Sequence, residues 1–240
     1  MPLIITPRHT DRDLAHWRTC EKVDALTAQR RAPRLREMAA RAGDVAAAFA
    51  RGGGYAGVSW GKDSVVVASI LAEHRTDLPL VWVRVDAWEN PDCELVRDAF
   101  LARFDVRYHE IRVAIGPNRH GGTLSLGFAE AAERFGARYI SGVRADESAI
   151  RRASMGHHGI TTKNTCRPIG KWSTADVFAY CALMDLPLHP AYGYTMGGIY
   201  DRMRLRTASL GGVRGAGHGR AEWERVYYGV RHEGTQRWLP

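Results

Sequence analysis

The stretch Ser59-Trp-Gly-Lys-Asp-Ser64 contains residue types that together could bind a phosphate group. It lies between an apolar run typical of a strand and a second run typical of a helix. Gly61 allows the backbone to approach an anion closely, Lys62 supplies a positive charge, and the first amides of the following helix have no acceptor within it. The spacing differs from the Walker A pattern of two glycines followed by Lys and Ser or Thr. The alternative is a helix that is capped by Asp63 or Ser64 and binds no ligand.

A second charged stretch, Ser141-Gly-Val-Arg-Ala-Asp-Glu-Ser-Ala-Ile-Arg-Arg152, also follows a predicted strand. Gly142 permits close backbone approach, and Arg144 and Arg151 can give paired donors to phosphate or sulfate oxygens. Glu147 can orient an arginine or hold a ribose hydroxyl or a metal ion. The alternative is an exposed helix that carries Glu and Arg four residues apart.

Strands and helices alternate through the middle of the chain. The predicted strands cover 55–59, 80–85, 106–113 and 138–141, and the predicted helices cover 63–74, 92–103 and 123–135. This alternation predicts an α/β fold with a doubly wound, mainly parallel sheet that is covered on both faces. Ligands of such sheets bind at the carboxyl ends of the strands, so Ser59, Asp86 and Gly142 are expected to line one crevice.

An N-terminal helical arm and a basic C-terminal segment flank the predicted sheet. The arm covers residues 1–50, the α/β domain 51–192, and a Gly/Arg-rich lid and tail 193–240. Within the arm, Pro33 predicts a break between two helices. The apolar side chains at helical spacing are Leu14, Trp17, Val23, Leu26, Leu35, Met38 and Ala39.

Two expectations follow for these flanking regions. The apolar face of the arm is expected to bury itself against another chain, which predicts a homodimer or a complex with a partner protein. The alternative is an arm that folds back on its own core. The arginines of 193–220 are expected to face the crevice and to order only when an anion or a partner binds, and the alternative is a solvated loop that binds nothing.

Composition narrows the class of protein. The 240 residues carry a net charge of +8, which favours anionic ligands, with nucleic acid as one possible partner. There is no apolar run long enough to span a bilayer and no secretion signal, so a cytoplasmic protein with no membrane partner is predicted. The four cysteines form no Cys-x-x-Cys pair, which argues against a zinc ribbon, an iron–sulfur cluster and a disulfide framework.

Taken together, the motifs resemble the phosphoadenosine-phosphosulfate reductase family, within the PP-loop group of ATP pyrophosphatases and adenylyltransferases. Ser59–Ser64 is similar to the Ser-x-Gly-x-Asp-Ser loop of the family. Further stretches are similar in the same order, namely Val85-Asp86, Gly142–Arg151, Pro168-Ile169 with Trp172, and Leu188-His-Pro-Ala-Tyr192. The resemblance covers about residues 50–235 and implies a PP-loop fold of the adenine nucleotide alpha hydrolase type.

The resemblance also implies a ligand and a set of site residues. The ligand is an adenine nucleotide, with ATP and Mg²⁺ as the expected cofactors. The implied nucleotide-binding residues are Ser59, Trp60, Gly61, Lys62, Asp63, Ser64, Asp86, Gly142, Arg144, Glu147 and Arg151. The implied catalytic residues are Lys62, Asp63 and Arg144.

Each of these residues is expected to have a role of its own. Ser59, Gly61 and Ser64 would cradle the pyrophosphate group, and Lys62 would stabilise its charge. Asp63 would hold Mg²⁺ or cap the loop, and Asp86 would lie near the ribose or the magnesium ion. The two arginines, Arg144 and Arg151, would hold the phosphates or the incoming acidic group.

The chain departs from the family pattern near its end. The reductases carry a Glu-Cys-Gly-x-His motif there, whereas Val226-Tyr-Tyr-Gly-Val-Arg-His-Glu-Gly-Thr235 has no cysteine to act as nucleophile. The favoured hypothesis is an ATP-using enzyme that adenylylates a substrate in sulfur transfer or nucleic-acid modification. Two alternatives stay open. One is a sulfonucleotide reductase that uses an external thiol or Cys166, and the other is a non-catalytic nucleotide-binding regulatory subunit.

Overall fold

The computed structural model describes residues 3–74, 77–85, 89–114, 123–198, 200–203, 205, 207 and 220–229. The α-helices in this part of the chain are α1 Asp11–Ala50, α2 Lys62–Glu73, α3 Asp92–Leu101, α4 Thr123–Phe135, α5 Ala149–His158, α6 Thr174–Leu183 and α7 Arg220–Tyr228. The strands are β1 Tyr55–Gly57, β2 Leu80–Arg84, β3 Tyr108–Arg112, β4 Tyr139–Ile140 and β5 Thr165–Cys166. Helix α4 begins and ends where the sequence predicts, and the other predicted strands and sheet helices differ only at their ends.

The five strands form one parallel sheet in the order β3-β2-β1-β4-β5. This is the doubly wound α/β architecture that the alternation of strands and helices predicts. Strand β5 was not predicted, because it consists of only two residues in a polar stretch. The order reverses between β1 and β4, and a crevice opens at the carboxyl ends of these two strands. The segments that begin at Ser59 and Ser141 both leave the sheet at this crevice.

Side chains of the central strands alternate between the two faces of the sheet, as the period of two in a strand requires. Tyr55 and Val81 pack with Ala131 of α4 on one face. Ala56 and Leu80 belong to the larger core on the other face, to which α1, α2, α3 and α6 contribute side chains. Both faces of the sheet are therefore covered.

Helix α1 is one continuous helix of 40 residues, so the prediction of two helices separated at Pro33 is wrong. Proline lacks the amide hydrogen that would bond to the carbonyl oxygen of Gln29, one turn earlier. Because both residues are exposed, water can hydrate that carbonyl and the helix tolerates the lost bond. Ala28 and Leu35 lie on either side of the proline and are buried against the core, which keeps the helix in line.

The N-terminal arm packs on its own chain, along α6. Trp17 is buried and Leu14 is half-buried, whereas Val23 and Leu26 are exposed. The expected apolar face is therefore used only in part, and it is used within the chain. Association with a second chain stays a prediction.

Arg202 ties the C-terminal segment to α1. Its guanidinium donates two hydrogen bonds of 2.7 Å to the carboxylate of Asp24 and lies 4.2 Å from the ring centre of Phe178. The expectation that the arginines of 193–220 face the crevice is therefore wrong for Arg202, because a buried guanidinium requires a buried counter-ion. The other arginines named for this lid lie outside the described residues or have undescribed side chains, namely Arg204, Arg206, Arg214 and Arg220.

Helix α7 is held by two tyrosine hydroxyl groups. Tyr227 donates to Asp13 of α1 at 2.9 Å, and Tyr228 donates to Asp92 of α3 at 2.5 Å. These bonds fix the end of the described chain against the main core. No helix among the described residues has both the length and the apolar composition that crossing a bilayer requires.

Candidate functional site

The connection between β1 and α2 is tightly folded. Trp60 has a left-handed backbone with φ of 57°, which costs a bulky residue about 1–2 kcal/mol. Its indole is fully buried against the rings of Trp82 and Phe100, and this packing holds the strained turn in place. Gly61 has an ordinary φ of −79°, so this position needs glycine for space rather than for conformation. An added Cβ there would lie 2.7 Å from the hydroxyl oxygen of Thr207.

Hydrogen bonds within the loop leave part of its donor set free. The amide of Ser59 donates to Ser64 Oγ at 3.2 Å, and that hydroxyl donates to the carbonyl oxygen of Gly61 at 3.0 Å. Within the described residues, the amides of Asp63 and Ser64 have no acceptor, as expected for the first turn of α2. These two N–H groups and the positive end of the helix dipole favour an anion at this position.

Three charged side chains meet beside the loop. Lys62 Nζ lies 2.8 Å from Asp63 Oδ2, and Arg144 Nε lies 2.6 Å from Asp63 Oδ1. The side chains of Lys62 and Arg144 are only 4% and 1% exposed. Burial opposes the charge of Lys62, but the neighbouring Tyr192 and Asp63 outweigh burial, so the pKa of Lys62 is raised above its usual value. The lysine is therefore a buried cation, and the second positive charge of the triad is balanced by Asp146, whose Oδ2 lies 3.5 Å from Arg144 Nη1.

Arg144 links this triad to α6. Its guanidinium donates to the carbonyl oxygen of Trp172 at 3.1 Å and to Thr174 Oγ1 at 3.0 Å. Asp146 accepts from the amide of Thr174 at 2.9 Å, and this bond, with further help from Arg144, lowers the pKa of the Asp146 carboxyl. Five hydrogen-bond donors of an arginine are well suited to join several elements in this way.

Gly142 brings the two predicted stretches into contact. A Cβ at this position would lie 2.8 Å from the carbonyl carbon of Asp63, so the backbone after β4 packs directly on the first turn of α2. Glu147 accepts from the amide of Arg144 at 2.8 Å and pairs with Arg151 one turn later. Glu147 and Arg151 are four residues apart, as in the exposed-helix alternative, but Glu147 precedes α5 and its side chain is only 14% exposed.

The structure brings most of the predicted site residues together at the crevice, and the exceptions are informative. The buried indole of Trp60 faces the core, so only its backbone belongs to the loop. Asp86 lies outside the described residues. Both carboxylate oxygens of Asp63 are engaged by cations, which leaves neither free for a metal ion. The described residues contain no group of three His, Cys, Asp or Glu side chains that could hold a metal.

Sequence reasoning assigned no role to two residues that complete the loop. The hydroxyl of Tyr192 accepts from the amide of Lys62 at 3.1 Å, and its ring centre lies 5.5 Å from Lys62 Nζ. Thr207 is buried over Gly61. Tyr192 ends the stretch Leu188–Tyr192 that resembles the family, and this resemblance could have indicated a role for it at the site. No local pattern marks Thr207, because its contact with the loop spans almost 150 residues of sequence.

None of the four cysteines has the environment of a reactive thiolate. Cys93, Cys166 and Cys181 are buried, Cys20 is half-buried, and burial raises the pKa of each thiol. At Cys166 the nearby positive charge of Arg167 lowers the pKa by less than burial raises it. The structure therefore disfavours Cys166 as a substitute nucleophile.

A cavity of 720 Å³ lies at the amino ends of the strands, opposite the crevice, and its lining residues include Arg51, Arg107 and Arg134. The carboxyl ends of α1, α2 and α4 meet there, and their carbonyl groups attract cations. Arg107 donates to the carbonyl oxygen of Asp77, which lies between α2 and β2, at 3.2 Å. The cavity is separate from the crevice.

Comparison with known proteins agrees with the geometry of the crevice. No curated protein matches the chain. The family model described as phosphoadenosine phosphosulfate reductase domain matches residues 55–212, which is more than half of the chain. The matched range contains all five strands, the loop after β1 and the segment after β4. The chain therefore belongs to the phosphoadenosine phosphosulfate reductase domain family.

Proposed function

We propose that this protein binds ATP in the crevice between β1 and β4 and cleaves it between the α- and β-phosphates to adenylylate an acceptor. The observation that carries the proposal is the meeting of three features at one point of the sheet. They are the free amides of Asp63 and Ser64, the buried cation Lys62, and Arg144 on the neighbouring segment. Family membership supports nucleotide binding, and the adenylyl transfer is the proposed part.

In adenylyl transfer the protein contributes mainly by positioning the reactants and neutralising charge. A nucleophilic atom of the acceptor would attack the α-phosphorus, and the bond from that phosphorus to the bridging oxygen would break. Pyrophosphate then leaves with the bonding electron pair. The loop amides would bind oxygens of the leaving group, and Lys62 would offset its growing negative charge.

Asp63 acts in this proposal as a counter-ion rather than as a metal ligand. It holds Lys62 and Arg144 in place while no phosphate is bound, since two buried cations side by side would repel each other. Mg²⁺ is the usual counter-ion of ATP phosphates, but the described residues present no site of their own for it, so no step is assigned to the ion.

Isothermal titration calorimetry with ATP, adenylylsulfate and phosphoadenylylsulfate tests the ligand. We expect ATP to bind and Lys62→Ala to weaken its binding at least about tenfold, because one charge-assisted contact is worth about 1.5–3 kcal/mol. Lys22→Ala is the matched control, since Lys22 is an exposed lysine of α1. Equal ATP affinity in both variants would refute the loop assignment.

Release of pyrophosphate from ATP with Mg²⁺ and candidate acceptors tests the reaction. Binding of ATP without any pyrophosphate release would favour the non-catalytic regulatory subunit. Thiol-dependent release of sulfite from phosphoadenylylsulfate would favour the reductase, although three of the four cysteines are buried and Cys20 is half-buried.

A further inference from the structure

The segment from Ser148 to Ala175 has a one-sided charge. It contains five arginine or lysine residues and two histidines, and no aspartate or glutamate. This segment includes α5, the turn that follows it, β5 and the start of α6. It begins immediately after the crevice residues that surround Arg144.

The structure exposes most of these cations. We define the α5 surface as the six exposed side chains of Ile150, Arg152, His157, His158, Lys163 and Lys171. Ile150 is 83% exposed and lies two helical turns from His157 on the same face of α5, whereas Arg152 lies about 140–160° around the helix from these two. The described structure records no acidic partner for Arg152, Lys163 or Lys171.

Backbone contacts join the parts of this surface into one unit. The amide of Arg167 donates to the carbonyl oxygen of Ile160 at 2.8 Å, and the amide of Thr162 donates to the carbonyl oxygen of Thr165 at 2.8 Å. A Cβ on Gly170 would lie 3.1 Å from Met155 Sδ on the buried side of α5. The turn with Lys163 is therefore closed by bonds between its own residues, and the residue before Lys171 packs on the helix.

The α5 surface begins beside the proposed ATP site. Ser148 caps α5 by accepting from the amide of Arg151 at 3.2 Å, and the preceding turn Ala145–Glu147 follows Arg144 directly. A helix of ten residues is about 15 Å long, so the far end of α5 lies about that distance from its start.

We propose that the α5 surface binds single-stranded nucleic acid, which would place a nucleotide at the crevice as the acceptor. Exposed cations with no acidic neighbours suit a phosphate backbone, and exposed histidine rings can stack on unpaired bases. An acidic protein is a poorer fit, because protein interfaces are depleted in lysine and need an apolar centre, whereas Ile150 is the single large apolar side chain here. The link to an acceptor rests on the proposed function, whereas the binding itself does not.

Fluorescence anisotropy with a labelled single-stranded oligonucleotide tests the surface in the full-length protein. The variant Arg152→Glu/Lys163→Glu is compared with Arg34→Glu/Arg36→Glu, which changes the net charge equally at exposed positions of α1. We expect the first variant to bind at least about tenfold more weakly and the control to change less than threefold. The slope of log K against log salt should fall in magnitude by about 1.4 in the first variant, for two lost phosphate contacts.

Several outcomes would overturn the proposal. They are the absence of binding by the unaltered protein, equal losses in the two variants, tighter binding of the duplex of the same sequence, and equally tight binding of an acidic polypeptide. Thermal unfolding and ATP titration of each variant separate this result from the proposed function. If Arg152→Glu/Lys163→Glu weakens nucleic-acid binding but leaves ATP affinity unchanged, the result supports the α5 surface independently of the ATP site. If Lys62→Ala loses ATP binding but keeps nucleic-acid binding, the result bears only on the loop.

Discussion

The buried cations of the core and the crevice differ in one physical respect from the exposed cations of the α5 surface. Lys62, Arg144 and Arg202 are buried, and each contacts an aspartate directly. The exposed cations of the α5 surface, such as Arg152 and Lys163, have no such counter-ion in the described structure. A buried charge must be paired because desolvation is expensive, whereas water stabilises an exposed one. Substitution of buried cations should therefore lower stability, and substitution of exposed cations should leave it unchanged.

The largest effect is expected at the pair of Arg202 and Asp24. Arg202→Ala should lower the free energy of unfolding by about 3–5 kcal/mol, because it leaves the carboxylate of Asp24 buried and uncompensated. Chemical denaturation measures the loss. The double variant Asp24→Leu/Arg202→Met should recover part of the loss, since it removes both charges. A double variant that is less stable than Arg202→Ala would contradict this explanation.

A somewhat smaller loss is expected at Arg144. Arg144→Met should lower the free energy of unfolding by about 3 kcal/mol, because Asp63 keeps Lys62 as its counter-ion while Thr174 and the carbonyl of Trp172 lose a donor. The same substitution at exposed Arg152 is the control and should change stability by less than about 0.5 kcal/mol. Equal losses of stability in Arg144→Met and Arg152→Met would contradict the claim that burial sets the cost of removing a cation.

The buried side chain of His189 allows the cost of burying a charge to be tested through pH. Burial, with a further contribution from Arg8, lowers its pKa from 6.5 to about 3, so the folded protein holds the ring neutral. Between these pH values the unfolded chain binds the proton more readily, and stability therefore falls as the pH decreases from 6.5 towards 3. The slope from this group is at most about 1.4 kcal/mol per pH unit.

The variant His189→Asn isolates that contribution. The asparagine oxygen can replace Nδ1 as the acceptor for the amide of Ala191, which the histidine accepts at 3.1 Å. Denaturation curves between pH 6.5 and 4 should show a flatter loss of stability for the variant than for the unaltered protein. Parallel curves would show that His189 does not titrate as described.

The smallest effect is expected at the exposed pair of Glu37 and Arg41 on α1. This i,i+4 pair is highly exposed on both sides, so Arg41→Ala should change the free energy of unfolding by less than about 0.5 kcal/mol. The measurement is thermal unfolding in low and in high salt. A loss comparable with that of Arg202→Ala would show that burial is not what sets the cost.

The parts of the fold that were predictable depend on local patterns. Helix α4 and the first four strands follow from apolar periodicity, and Ser173 and Asp176 form a capping box at the start of α6. The continuity of α1 through Pro33 was not predictable, because exposure of the proline and packing on α6 together decide it. Strand β5 was missed because a strand of two residues is too short to carry a periodic signal.

The sequence by itself determined the parallel α/β fold, the loop after β1, the segment after β4 and the family, because each depends on residue types at short spacing. Only the tertiary structure decided which charges meet. It pairs Asp63 with both Lys62 and Arg144, buries Arg202 on Asp24, and places Thr207 over Gly61. Except for Asp63 with Lys62, these contacts join residues that are at least 80 positions apart, so their partners depend on how the elements pack and not on any local pattern.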